Sequence, residues 1–352
     1  MESHGMKSET NTLAGSDELC DDALISHDRL AVLAGVAARY AVAITPAIAD
    51  LIDRANPHDP LARQFVPDAR ELERRPEERD DPIGDDAFSP VEGIVHRYPD
   101  RVLLKLVNAC AVYCRFCFRR EMVGPGRGGL SPPALKAALD YIRDCPQIWE
   151  VILSGGDPLV LSARRLKDVV ARIATIAHVK VIRVHTRVPV AAPERISAAL
   201  VRALRTQDKA TFVVLHANHP RELSEQARKA CARFVDAGIP MLSQSVLLRG
   251  VNDDAETLGE LMRALVECRI KPYYLHHADL APGTAHLRTG IAEGQALMRA
   301  LRGRYSGLCQ PTYVLDIPDG YGKSPIGPSY LSEDGATVED FNGQRHRYPP
   351  QR

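Results

Sequence analysis

Three cysteines, Cys110, Cys114 and Cys117, fall in the stretch Asn-Ala-Cys-Ala-Val-Tyr-Cys-Arg-Phe-Cys-Phe-Arg-Arg that runs from Asn108 to Arg120, a C-x3-C-x2-C spacing. Thiols clustered like this in a long chain suggest inorganic ligands rather than a disulfide scaffold. Three thiolates can hold three irons of a four-iron, four-sulfur cluster, whose complete ligation takes four cysteines, so one iron would be left open. An open coordination position separates a metal site that does chemistry from one that only holds structure. A zinc knuckle, a cluster closed by a distant fourth cysteine and buried free thiols are the rival readings. Cys20, Cys145, Cys231, Cys268 and Cys309 are scattered singly, and no further Cys or His stands near enough to complete a zinc site.

Two further groups could do chemistry. Ser154-Gly155-Gly156-Asp157 is a tight turn of the kind that lets a ligand approach the backbone, although Gly-Gly-Asp is also an ordinary turn. Lys323, in Gly-Tyr-Gly-Lys-Ser-Pro, sits in a glycine-flanked loop; a solvated lysine is the plain alternative.

These residues need elements to place them. From Val102 to Leu315 short apolar runs alternate with longer amphipathic ones. Strands are expected at 102–107, 150–154, 179–184, 211–216, 240–247, 271–276 and 312–315. Helices are expected at 133–144, 163–176, 193–205, 221–237, 255–268 and 291–304, several opened by Ser, Pro or Asp. Such alternation means parallel strands joined by crossover helices. About six units favour an α/β fold with an incomplete or full barrel over an open sheet, a doubly wound fold being the alternative, with ligands at the carboxyl ends of the strands in either case. The expected division is a flexible tail over 1–27, an N-terminal helical cap and linker over 28–95, the barrel over 96–316 and a C-terminal loop segment over 317–352.

Lysine plus arginine equals aspartate plus glutamate, 45 each in 352 residues, so no net field favours nucleic acid or an anionic membrane surface. No apolar run approaches the roughly 20 residues that cross a bilayer, and the polar start lacks the apolar core of a secretory signal. A cytoplasmic enzyme is expected.

The cysteine spacing, with Phe116 before the third thiol, resembles radical S-adenosylmethionine enzymes. Resemblance to the lysine 2,3-aminomutase family then runs from His96 to Tyr330, carried by HRYPDRVL, CRFCFRR, SGGD, TRVPV, HANHP, QSVLLRGVND, PYYLHHADL and DIPDGYGKSP in order. It implies a partial (βα)6-type TIM barrel and a 2,3-amino shift on L-lysine giving β-lysine, started by a 5′-deoxyadenosyl radical. The cofactors would be a 4Fe-4S cluster on Cys110, Cys114 and Cys117, S-adenosylmethionine and pyridoxal 5′-phosphate, with an external one-electron donor as partner. Ser154, Gly155, Gly156, Asp157, His216 and Gln244 match S-adenosylmethionine contacts. Lys323 matches the lysine that bonds pyridoxal phosphate, and Arg97 and Tyr98 match the pair on its phosphate. Arg119 matches the residue on the substrate carboxylate, and Asp279 and Asp316 those on its side-chain ammonium.

There are departures. Asp254 stands where the clostridial-type enzymes have a zinc-binding cysteine, and no cysteine follows Tyr330, so no zinc is expected. His276 replaces a tyrosine, as in shorter relatives that serve elongation factor P, whereas Asp316 resembles the free-lysine enzymes. The same chemistry serving β-lysylation of elongation factor P is therefore the alternative.

Overall fold

The structure, a computed structural model, describes residues 12–350. The chain enters through α1 (Ser16–Asp21) and α2 (Leu30–Arg39). Leu19, Leu33, Val36, Ile44, Ile48 and Phe65 form a separate small core, and that core packs on Val112 and Cys114 of the cysteine loop. Residues 12–27, expected to be a loose tail, are thus folded: Leu13 bridges to Ile44, and Leu19 is completely buried. The rest of that expectation lies outside the described residues.

Among the described residues one sheet holds nine strands in chain order. They are β1 (Ile94–Tyr98), β2 (Arg101–Val107), β3 (Glu150–Gly155), β4 (Val181–Thr186), β5 (Ala210–His216), β6 (Met241–Leu247), β7 (Ile270–His277), β8 (Thr312–Ile317) and β9 (Gly322–Pro325). Strands β2 to β8 pair in parallel, while β1 and β9 lie antiparallel on the two edges. Six crossovers join the parallel strands through α3 (Pro132–Asp144), α4 (Ala163–Ala174), α5 (Ala198–Ala203), α6 (Glu225–Asp236), α7 (Ala255–Glu267) and α8 (Ile291–Leu301). The two edges do not pair with each other, so this is the expected partial (βα)6 barrel.

Periodicity explains the wall. In α4, Leu166, Val169, Val170 and Ile173 are buried at i, i+3, i+4 and i+7, each stabilising the fold by about 1.5–3 kcal/mol relative to exposure. Ser131, Ser162, Ser197 and Ser224 each accept a backbone N–H at the start of a helix, and Asp254 caps α7 by accepting from Glu256 and Thr257. Along β4, Ile182 and Val184 are buried in the core beneath the helices, whereas Arg183 and His185 line the lumen.

Two expectations are corrected. The helix expected over 193–205 is divided, a 3-10 turn at Pro193–Arg195 followed by α5, because Ile196 leaves the helical region (φ −77°, ψ 71°) and Ser197 caps the helix that follows. Lys323 lies on β9 rather than in a loop, and the sheet starts at Ile94, so it extends beyond both expected barrel bounds. Among the described residues no helix is long and apolar enough to cross a membrane.

Candidate active site

The loop after β2 carries the three thiols to the carboxyl rim and is held there by the cap. Tyr113 donates its N–H to Ala43 O at 3.1 Å, and Arg115 donates its own to Gln64 O at 2.8 Å. The Arg115 guanidinium, 1% exposed, donates to both Glu71 oxygens and to Ala41 O at 2.8 Å. Arg120 pairs with the same Glu71, lies over the Tyr40 ring and donates to Arg115 O at 3.0 Å. Despite the burial that opposes it, the two guanidinia hold the Glu71 carboxyl below its usual range. Burial pushes all three thiols up, Cys117 to about 11, so they would give up their protons to a positively charged inorganic core rather than to water.

At the end of β3 the backbone turns sharply under the thiols. Gly155 has φ +113°, and a Cβ there would collide with Val107 O, as one on Gly156 would with Ala109 O. Glycine is therefore required here by the close approach of the β2 end and the cysteine loop, and both glycines also line the cavity. Asp157 lines the cavity beside the two glycines, and its carboxylate is held by the protein. Its carboxylate accepts from Leu159 N at 3.0 Å, Thr186 Oγ1 at 2.8 Å, Arg187 N at 2.6 Å and Val188 N at 3.2 Å. It ties β3 to the end of β4.

One cavity of about 670 Å³ runs from the cysteine loop into the lumen. It brings together Cys110, Cys114 and Cys117 with Ser154, Gly155, Gly156, His216, Gln244, Arg97, Tyr98, Arg119, Asp279, Asp316 and Lys323. His216 and Gln244 are paired neighbours on β5 and β6. The His216 ring lies 5.6 Å from that of Phe116, its Nε2 has no partner, and burial followed by the Arg187 charge keeps it neutral.

Lys323 and Asp316 are cross-strand partners on β9 and β8, and Lys323 Nζ donates to both Asp316 oxygens at 2.7 Å. The Lys323 backbone N–H donates to the Tyr98 hydroxyl at 2.6 Å. Burial raises the Asp316 carboxyl, but hydrogen bonds and charge from His276 and Lys323 outweigh it and hold it well below its usual range. Asp279 goes the other way: burial, then repulsion from Asp316, push it up to about 7.

Asp85 is the residue the sequence did not disclose. Its carboxylate, 2% exposed, bridges the Arg97 and Arg119 guanidinia at 2.8 Å each, and Arg119 also donates to Ser154 Oγ at 3.3 Å. Both Nε atoms are buried without a partner. Arg97, matched to a phosphate ligand, thus faces a carboxylate here and keeps only part of its fork for an anion. Glu71, Arg187 and Glu222 also escaped notice. Asp85 and Glu71 are hidden in an acidic linker, whereas His185 could have been found as a polar residue at an alternate position of an apolar strand.

The donor set fits the three groups that the resemblance implied: soft thiols for iron and sulfur, the two cavity-lining glycines for a bulky sulfonium ligand, and an amine, a phenol and unpartnered guanidinium N–H groups for an aldehyde carrying a phosphate.

A family model described as the radical SAM superfamily matches residues 104–262. The L-lysine 2,3-aminomutase of Clostridium subterminale is 42% identical over 305 residues, spanning 86% of this chain and 73% of that protein. The L-lysine 2,3-aminomutase of Acetoanaerobium sticklandii is 44% identical over the same shares. The glutamate 2,3-aminomutase of Clostridioides difficile is 35% identical over 300 residues, covering 85% of this chain and 71% of that one.

Proposed function

This chain belongs to the lysine 2,3-aminomutase family of radical S-adenosylmethionine enzymes, and we propose that it converts free L-lysine to β-lysine with pyridoxal 5′-phosphate held at Lys323. Its reaction class is a radical amino shift, an isomerisation. The observation that carries the lysine reading is that Asp316 already holds an ammonium, that of Lys323 at 2.7 Å, with Asp279 in the same cavity wall. Two carboxylates facing one cation favour lysine and oppose the second carboxylate of glutamate.

When bound, the three groups supply an electron, a hydrogen-abstracting radical and an aldehyde that carries the migrating nitrogen. In this reading Cys110, Cys114 and Cys117 ligate the cluster, while Ser154, Gly155, Gly156, His216 and Gln244 surround the sulfonium ligand and Asp157 fixes their turn. Arg97 and Tyr98 orient the phosphate end. Arg119 takes the substrate carboxylate through the donors that Asp85 leaves free, which brings the β-carbon toward the cysteine rim. A Lys323 Nζ engaged by the cofactor's aldehyde would leave both Asp316 oxygens free for the substrate ammonium. The segment 28–95 acts as a cap that fixes the cysteine loop and screens the cavity from water.

A second reading, the same chemistry serving elongation factor P, is favoured by His276, whose Nδ1 lies 3.5 Å from Asp316. The test is anaerobic reconstitution followed by incubation with L-lysine, L-glutamate, or lysylated elongation factor P, the products being separated by chromatography and assigned by proton NMR. β-Lysine from free lysine is expected. Turnover of glutamate alone would overturn the substrate assignment, and turnover of the lysylated factor without free lysine would replace it with the second reading.

A further inference from the structure

Arg187 has no part in the roles assigned above, yet it is among the most tightly held side chains of the rim. It follows the last residue of β4, is 6% exposed, and its own N–H is fixed by Asp157. Its Nη2 donates to Gln64 Oε1 at 2.7 Å and to Glu222 Oε2 at 2.6 Å, and the guanidinium lies 4.6 Å from the centre of the Phe65 ring. Glu222 is held in turn by the N–H groups of Asn218 and His219 and by the Gln64 amide. The remaining direction of the fork is thereby forced: Nη1 points at Cys114 Sγ, 3.1 Å away.

Among the described residues no side-chain donor makes an equivalent hydrogen bond to Cys110 or Cys117, and the nearby Asp157 N–H donates to Ala109 O at 3.0 Å. One of the three cluster thiols alone therefore receives a hydrogen bond from a buried, permanently charged donor. Hydrogen bonds and charge at the sulfurs set the reduction potential of an iron-sulfur centre. A fixed positive charge lowers the cost of adding an electron, and it does so strongly where water is excluded.

We propose that Arg187 is a positioning residue that raises the reduction potential of the cluster by donating a charged hydrogen bond to Cys114. The cap takes part, because Gln64 holds the same guanidinium. The inference rests on the reading of Cys110, Cys114 and Cys117 as cluster ligands.

The experiment is an EPR-monitored redox titration of the anaerobically reconstituted full chain, wild type beside Arg187→Gln and Arg187→Lys, with iron and sulfide counted in each. At equal iron content the glutamine variant is expected to titrate at a more negative potential than wild type, with the lysine variant between them. An unchanged potential at equal iron overturns the inference, including the case in which only S-adenosylmethionine affinity falls. Should the variants lose iron, the unmutated protein decides. With guanidino-15N-arginine incorporated, the reduced cluster should show a 15N coupling in pulsed EPR that persists in Arg119→Lys, and its absence overturns the proposal. Full iron retained by Cys114→Ala would instead show that the ligand reading is at fault.

Discussion

Two carboxylates in this molecule are each shared by two arginines, and they serve opposite ends. Glu71 lies beneath the cysteine loop, fully screened from water, and Arg115 directs Nε, Nη1 and Nη2 at protein acceptors. Asp85 lies in the wall of the lumen, and its partners Arg97 and Arg119 keep buried Nε groups without any acceptor. The same charge arithmetic gives a closed tie in one place and a half-open receptor in the other. What differs is where the unmatched donors lie: at Glu71 Arg115 is saturated, only Arg120 keeps a buried Nε without an acceptor, and neither arginine lines the cavity of about 670 Å³, whereas Arg97 and Arg119 both line it with their Nε groups unmatched, which implies a ligand.

The contrast is broken most severely at Glu71. Glu71→Gln leaves two guanidinia in a water-free site with no counter-charge, and loss of one partner from a buried pair costs about 3–5 kcal/mol. The expected outcome is a large drop in thermal midpoint together with loss of iron, because Arg115 and Arg120 shape the loop that carries the thiols. Calorimetry and iron analysis check it. A variant of unchanged midpoint and full iron would mean that the closed network is dispensable.

Asp85→Asn sharpens the contrast. Its arginines border a cavity that water and ligands enter, so the stability loss should be less than half that of the Glu71 variant. The larger consequence should be for the reaction, since Arg119 loses the partner that aims it at the substrate carboxylate. A fall in kcat/KM on the order of tenfold to thirtyfold, about 1.4–2 kcal/mol, is expected while iron content holds. Equal damage to stability in both variants would erase the distinction drawn here.

Much of the barrel was legible because its signals are local. Ser131, Ser162 and Ser224 precede apolar residues at helical spacing, so cap and buried face agree. The edge strands were not legible. Glycine-bounded Gly322–Pro325 has no alternation of its own and becomes a strand only because β8 offers an open edge. The thiols and the turn at Gly155 were readable from spacing, and Arg97, Arg119 and Asp316 only through resemblance. Asp85 and Glu71 sit among many acidic residues of the 68–86 segment, and what singles them out is the arginines they meet, 12 to 49 residues away in sequence. Pairings of that kind are made by tertiary structure, and local pattern carries no trace of them.

The smallest expected effect concerns Asp279, which makes no ion pair among the described residues. Asp279 is pushed up to about 7 by burial and by Asp316, whereas Asp316, held well below its usual range by His276 and Lys323, stays charged across the neutral range. His276 and His185 are shifted downward, chiefly by burial, and remain neutral there. Asp279 is thus the group of this wall that titrates near pH 7. Its native pKa exceeds the unfolded value of 3.8, so the folded protein holds an extra proton between the two, and this group's contribution to stability falls as pH rises through that window and levels off above 7. Ammonium binding has the opposite sign. It needs the ionised carboxylate, so KM for lysine should rise as pH drops below 7, by at most tenfold per unit, and lysine should raise the thermal midpoint more at pH 8 than at pH 6. Asp279→Asn should flatten both profiles while leaving the protein slightly more stable at pH 8. If the variant keeps the wild-type pH dependence, the ammonium is received elsewhere, and the unmatched groups of the lumen must be assigned to some other ligand.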